Sequence, residues 1–328
     1  MKYDDTGKLP DITDVRAAGQ TLAGEILATP ILRCDLLDQQ AGREVWVKAE
    51  CLQHTGSFKY RGARNRILNL TQNERENGVI AYSSGNHAQG VALAAKQEGI
   101  TCSIIMPNDT PKVKIDGVLA SKAQIIFYDR LHEDRQKIAT ELAAEQNAVL
   151  IEPFSGRFII AGQGTLGLEI AAHPHSDQFE AVVTNAGGGG LTAGIALALE
   201  ADLPDCDLYT CEPEGFDDHM RSFVSGQRER NTALSGTICD ALMTQTPGEM
   251  SFAINRGRVR GGLVVSDDEV KAAMRFAFSH LKLVVEPGGA VSLAAALHRK
   301  VPGTGPICVI ASGGNVDPNL FQSIITAP

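Results

Sequence analysis

Short apolar runs flanked by turn residues recur along the chain, and longer stretches with apolar positions every three or four residues separate them. Val45-Trp46-Val47, Val79-Ile80-Ala81-Tyr82, Ser103-Ile104-Ile105-Met106 and Gln124-Ile125-Ile126-Phe127 have the length and β-branched content of strands. So do Ala181-Val182-Val183-Thr184, residues 207–211 and Ile307-Cys308-Val309-Ile310. Residues 88–97, 112–121 and 133–146 carry the helical period, and Gly99 closes the first of them. Strands that are apolar on both faces must be covered on both, so the pattern predicts an α/β fold of parallel sheets flanked by helices. No internal repeat or low-complexity tract interrupts the alternation.

At 328 residues the chain exceeds one small domain, and two lobes are expected. Its 43% hydrophobic residues and 33 glycines allow a large core with many tight turns. A formal net charge of -9 argues against a nucleic-acid partner, which calls for a basic face. Nothing approaches a membrane span, and Met1-Lys2-Tyr3-Asp4-Asp5 lacks the basic-then-apolar layout of a signal peptide. Seven cysteines without a C-x-x-C pair suit reduced thiols, so a cytoplasmic location is expected and the sequons at Asn69 and Asn108 carry no meaning.

Two elements carry candidate chemistry. Thr55-Gly56-Ser57-Phe58-Lys59-Tyr60-Arg61-Gly62-Ala63 places a lysine where a loop meets a predicted helix, and a desolvated lysine amine condenses with an aldehyde. Far downstream, Ala186-Gly187-Gly188-Gly189-Gly190-Leu191-Thr192-Ala193-Gly194 joins an apolar run to a helical pattern. Strand, glycine loop and helix N-terminus together make a phosphate cradle of backbone N–H groups. A reactive amine and a phosphate seat in one chain imply pyridoxal 5'-phosphate.

Six segments in this order resemble the fold type II pyridoxal phosphate enzymes, specifically the serine/threonine dehydratase and serine racemase group, over roughly residues 20 to 320. They are Ser57-Phe58-Lys59-Tyr60-Arg61-Gly62-Ala63, Ser83-Ser84-Gly85-Asn86-His87-Ala88-Gln89-Gly90, Ala161-Gly162-Gln163-Gly164-Thr165, the glycine loop, Glu286-Pro287-Gly288-Gly289-Ala290 and Ser312-Gly313-Gly314-Asn315-Val316-Asp317. The resemblance implies a tryptophan synthase beta-like fold of two domains with mostly parallel twisted sheets. A large cofactor-binding domain would comprise residues 1–52 and 152–328, with a small mobile domain of residues 53–151 inserted. It also implies a homodimer. The chain stops at Pro328 without room for the regulatory module of biosynthetic threonine deaminases, so feedback control by isoleucine is not expected.

The same resemblance implies roles for individual residues. Lys59 would bind the cofactor covalently and act as general base, with Phe58, Asn86, Glu286, Ser312 and Gly313 around the ring. Gly187, Gly188, Gly189, Gly190 and Leu191 would hold the phosphate. Ser312, a neutral hydroxyl facing the ring nitrogen, would leave the ring a weaker electron sink and favour β-elimination over transamination. Ser83, Ser84, Gly85, Asn86 and His87 would bind the substrate carboxylate, although Ser84 or Asn86 is equally suited to a simple helix N-cap. Ser84 would also exchange the Cα proton on the second face, as in racemases. Arg135 would meet an added carboxylate on the substrate; the alternative is a solvated helix arginine. Phe154, Ser155 and residues 235–242 are candidates for side-chain selectivity. Glu212, the carbonyl of Phe216 and Asp218 resemble the divalent-cation site of the racemase-like branch, with oxygen donors suited to Mg2+ or Ca2+. An acidic surface loop is the plain alternative, and Gly215-Phe216 before the aspartates departs from the family's loop.

The activity expected first is dehydration of L-threonine or L-serine to a 2-oxo acid and ammonia. A serine racemase or a 3-hydroxyaspartate dehydratase is the alternative. A nucleotide-dependent oxidoreductase would need its glycine fingerprint at the first βαβ unit, whereas this one lies mid-chain. A cofactor-binding protein without turnover would not need Lys59, Ser84 and the carboxylate loop together.

Overall fold

The computed structural model describes residues 8–110, 112–233 and 235–327; Met1–Asp5 and Pro328, on which two of the expectations above rest, lie outside them. Ten strands are found among these residues: β1 (Ile31–Arg33), β2 (Val45–Lys48), β3 (Val79–Tyr82), β4 (Cys102–Pro107), β5 (Gln124–Tyr128), β6 (Val149–Ile151), β7 (Ala181–Asn185), β8 (Asp207–Pro213), β9 (Gly261–Val265) and β10 (Ile307–Ile310). They form a six-stranded sheet in the order β1-β2-β10-β7-β8-β9 and a four-stranded sheet in the order β5-β4-β3-β6. Only β1 runs antiparallel to its neighbour. Every residue of β3, β4, β7 and β10 is buried, which is why these strands show no polar alternation.

Two predicted helices shift at their ends for local reasons. The helix expected over residues 133–146 begins at Arg135, because the Asp134 carboxylate accepts from the amides of Gln136 and Lys137 and caps it there. The one expected over 112–121 ends at Leu119, where the chain turns into Lys122 at φ 59°.

A buried helix, Arg157–Ala171, spaces the parts that carry the site. A Cβ on its Gly162 would lie 2.7 Å from the Cα of Gly62 in the helix Lys59–Leu68, so the two backbones touch where neither can carry a side chain. The Ala161-Gly162-Gln163-Gly164-Thr165 segment is therefore a packing motif, with Gln163 accepting from the Gly62 amide at 3.2 Å. Beside it, the fully buried Arg61 guanidinium donates to both carboxylate oxygens of Glu50, each at 2.8 Å, and to Glu169 at 2.6 Å. Lys48 of β2 donates to Glu169 as well. Buried charges persist only when paired in this way, and the network ties the Lys59 helix to β2 and to the central helix.

Candidate active site

Three chain segments leave the carboxyl ends of β3, β7 and β10 and face one cleft, the usual place for a ligand in parallel sheets. Lys59 enters beside the third of them. The Phe58 amide donates to the Ser312 carbonyl at 3.1 Å, and Ser57 pairs with Gly313 in an isolated bridge. The Lys59 Nζ donates to the Pro153 carbonyl at 2.5 Å and lies 5.2 Å from the Phe58 ring centroid. Solvent reaches part of the side chain, yet the cleft walls surround the amine, and this desolvation lowers its pKa to about 8.

The glycine loop joins β7 to the helix Gly190–Asp202. Gly189 has φ +85°, and a Cβ there would sit 2.5 Å from the His219 ring, so only glycine fits. His219 Nε2 donates to the Gly187 carbonyl at 2.7 Å, and burial holds the imidazole neutral with a pKa of about 4. No side chain caps the helix Gly190–Asp202. Its first amides, with those of the loop, remain available to an anion.

After β3, Ser83 Oγ accepts from the Gly85 amide at 3.2 Å, and the helix Asn86–Gln97 starts at Gly85 with no side-chain cap. Neither Ser84 nor Asn86 therefore serves as the N-cap. Asn86 instead donates to Glu286 at 2.5 Å, while its carbonyl oxygen accepts from Asn315 at 2.7 Å. Burial pushes Glu286 up to about 7. Gly313, which does not line the cleft, leaves the room that the Glu286 carboxylate fills. His87 is buried and donates from Nε2 to the Ile151 carbonyl at 2.9 Å. Burial, and then the nearby Lys59 charge, lower its pKa to about 3, so it is a neutral packed group and not a base. Ser312 Oγ accepts from Asn185 Nδ2 at 2.9 Å.

The cleft has a volume of about 180 Å³. Lys59, Ser84, Asn86, the four glycines, Glu286 and Ser312 all line it, as do Phe58, Ser83, Gly85, His87 and Leu191. Arg135 reaches it too, with its guanidinium 5.7 Å from the Tyr82 ring centroid. No carboxylate pairs with Arg135 among the described residues. Several lining or supporting groups escaped the sequence analysis. Asn185 and His219 act through backbone carbonyls of distant loops, and Lys114 lies in a helix without a motif. Asp240, in contrast, falls within the 235–242 segment singled out for selectivity.

Glu212, Phe216 and Asp218 lie outside the cleft, one layer behind the glycine loop. Glu212 is fully buried and accepts from the amides of His219 and Met220 at 2.8 and 2.9 Å. Asp218 accepts from Asn231 Nδ2 at 2.6 Å through one oxygen, and its buried Oδ2 has no partner among the described residues. Burial, reinforced by Asp218, holds Glu212 well above the usual carboxylate range, and burial pushes Asp218 up to about 7. Two desolvated carboxylates, one with an orphaned oxygen, fit a cation. They do not amount to a cluster of three or more acidic, histidine or cysteine side chains, which is absent among the described residues.

Residues 22–313 match the family described as pyridoxal-phosphate dependent enzyme. The chain belongs to these enzymes, in their fold type II branch. It is 39% identical over 319 residues to an L-threo-3-hydroxyaspartate ammonia-lyase of Pseudomonas sp, covering 97% of this chain and 99% of the relative. Maize serine racemase superposes with a TM-score of 0.91 at 35% identity, with 97% of each chain covered. The threonine deaminase of T.th. follows at 0.87 and 40% identity, with 94% of this chain and 99% of that one covered. The chain is thus an enzyme of the pyridoxal-phosphate dependent ammonia-lyase and racemase group. No described helix is long and apolar enough to cross a membrane.

Proposed function

We propose that this enzyme is an ammonia-lyase for β-hydroxy amino acids and that 3-hydroxyaspartate, rather than L-threonine or L-serine, is its preferred substrate. The observation that carries the choice is Arg135, a cation facing the cleft with no carboxylate partner among the described residues. L-Threonine and L-serine offer it nothing, whereas the distal carboxylate of hydroxyaspartate completes a charge-assisted pair. The name of the Pseudomonas relative supports the same choice.

The glycine loop amides, with the helix dipole behind them, would bind the phosphate of the cofactor. Bound there, pyridoxal phosphate supplies an electron sink for the carbon that carries the substrate amine. The Ser83–His87 segment would hold the α-carboxylate through the uncapped amides at the start of the helix Asn86–Gln97. Lys59, neutral above about pH 8, would take the Cα proton, and loss of the β-hydroxyl leads to the 2-oxo acid and ammonia. Ser312 brings a hydroxyl and no charge to the cleft, which favours elimination over transamination. Ser84, lining the same cleft, supports a second activity, exchange of the Cα proton and inversion of serine.

Glu212, the Phe216 carbonyl and Asp218 would hold Mg2+ or Ca2+, which would neutralise the buried carboxylates and take no part in the chemistry. The orphaned Asp218 oxygen supports this assignment. The two expected domains, residues 1–52 with 152–328 and residues 53–151, remain part of the proposal, as does the homodimer. Seven free cysteines support a reducing, cytoplasmic setting.

Both enantiomers of serine and threonine, and the hydroxyaspartate stereoisomers, would be assayed for 2-oxo acid and for inversion. The expected outcome is a kcat/KM for one hydroxyaspartate isomer above that for serine and threonine. Equal or better turnover of L-threonine or L-serine would return the assignment to a threonine/serine dehydratase.

A further inference from the structure

The cleft holds a second cation besides Arg135, and it is already engaged. Lys114 Nζ donates to Asp240 Oδ2 at 2.5 Å, and both residues line the cleft. Lys114 belongs to the helix Lys112–Leu119, which packs on β5 at the edge of the four-stranded sheet. Asp240 opens the turn Asp240–Leu242, which packs on the helix Pro287–Leu297 of the other sheet. The pair therefore spans the cleft. Each is the other's only side-chain partner among the described residues. The lysine side chain is 15% exposed and the aspartate 49%, so the cation is held inward while the anion faces water.

A half-solvated ion pair of this kind contributes only about 0–1 kcal/mol, too little to explain it as an anchor between two large units. It is also easily exchanged for another carboxylate. We propose that Asp240 is an internal surrogate for a substrate's distal carboxylate: it holds Lys114 at the cleft until a dicarboxylic amino acid takes its place, so the pair sets the preference for dicarboxylic over monocarboxylic substrates. This deepens the reading of the site as one for a dicarboxylic β-hydroxy amino acid and rests on it. Lys114 is the specificity-determining cation, and Asp240 is a positioning residue that also repels monoanions least and dianions most when Lys114 is lost.

The test uses the cofactor-loaded enzyme and ligands that cannot eliminate. L-Aspartate and L-alanine are titrated while the visible absorbance of the cofactor is followed, in wild type, Lys114→Met, Lys114→Arg and Asp240→Asn. Loss of a hydrogen bond to a charged group predicts that Lys114→Met weakens L-aspartate about tenfold or more and leaves L-alanine within about twofold. Lys114→Arg restores most of the difference. Asp240→Asn removes the competitor and tightens L-aspartate by about two- to fivefold. A Lys114→Met variant that weakens both ligands equally, an Asp240→Asn variant that loosens L-aspartate, or a wild-type enzyme indifferent to L-aspartate would each overturn the assignment. If hydroxyaspartate is not turned over but L-aspartate still depends selectively on Lys114, the activity reading falls and the Lys114–Asp240 assignment stands. Turnover without that selective dependence sinks the pair's role and leaves the activity reading in place.

Discussion

The amine of Lys59 is hydrogen-bonded to the backbone carbonyl of Pro153, inside a cleft that lowers its pKa to about 8. Only the neutral amine attacks an aldehyde. The rate at which cofactor-free protein captures pyridoxal phosphate should therefore rise as pH increases from about 6.5 and level off above about 9. Growth of the visible band, followed by stopped flow across that range, reports it. Lys59→Ala should form no such band and lose roughly 10²–10⁴-fold in kcat, the usual contribution of a positioned base. A pH-independent capture rate would show that burial does not tune this amine.

Ser84 and Lys59 line the same cleft, and a second proton-exchanging group is what inversion requires beyond elimination. Ser84→Ala should reduce inversion of L-serine, and wash-in of deuterium at Cα, by about 100-fold. Elimination from the preferred substrate should stay within about tenfold. Recovery of serine from D2O, with chiral chromatography and mass spectrometry, separates the two. Unchanged wash-in would remove Ser84 from any proton-transfer role.

Glu286 is buried against Asn86, and burial lifts its folded pKa from 4.5 to about 7. Its folded form binds a proton more tightly than the unfolded chain does. The corresponding stability is fully present below about pH 4.5 and is lost as pH rises through about 7. Glu286→Gln should accordingly flatten the decline of cofactor-free stability between pH 5 and 8, by on the order of 1–3 kcal/mol. Urea unfolding at several pH values, with wild type beside the variant, measures this. Parallel curves for the two proteins would contradict the assigned burial cost.

Added Mg2+ or Ca2+ should raise the Tm by about 5 °C when present at a hundredfold excess over Kd, and EDTA should reverse it. Asp218→Asn should abolish the shift, since Asp218 Oδ2 is the donor without a protein partner among the described residues. Calorimetric scans with each ion decide it. An identical shift in the variant would leave Glu212 and Asp218 as an internal acidic pair and nothing more.

Features written in short stretches of sequence were legible in advance. The apolar runs that became β3, β4, β7 and β10, and the bare backbone of Gly187 to Gly190, carry their cause within a few residues. Lys59 was legible because it stands at a helix start beside a recognisable motif. The couplings were not. Asn86 meets Glu286 across 200 positions and Lys114 meets Asp240 across 126, and no local period encodes either pairing. His219 was missed because its hydrogen bond goes to a backbone carbonyl, which any residue type would present. The Ser84 and Asn86 caps were reasonable from composition alone, but Glu286 and Asn315 compete for the Asn86 carboxamide.

The backbone seam at Ser57 and Phe58 has a consequence for how the enzyme is made. Because these residues are stitched to Ser312 and Gly313, the amine is set in place only after nearly the whole polypeptide has left the ribosome. A nascent chain still lacking its last strand has no assembled pocket in which to capture the vitamer. Cofactor loading is thereby deferred to the end of synthesis, and the colour of the bound vitamer becomes a report that folding has been completed.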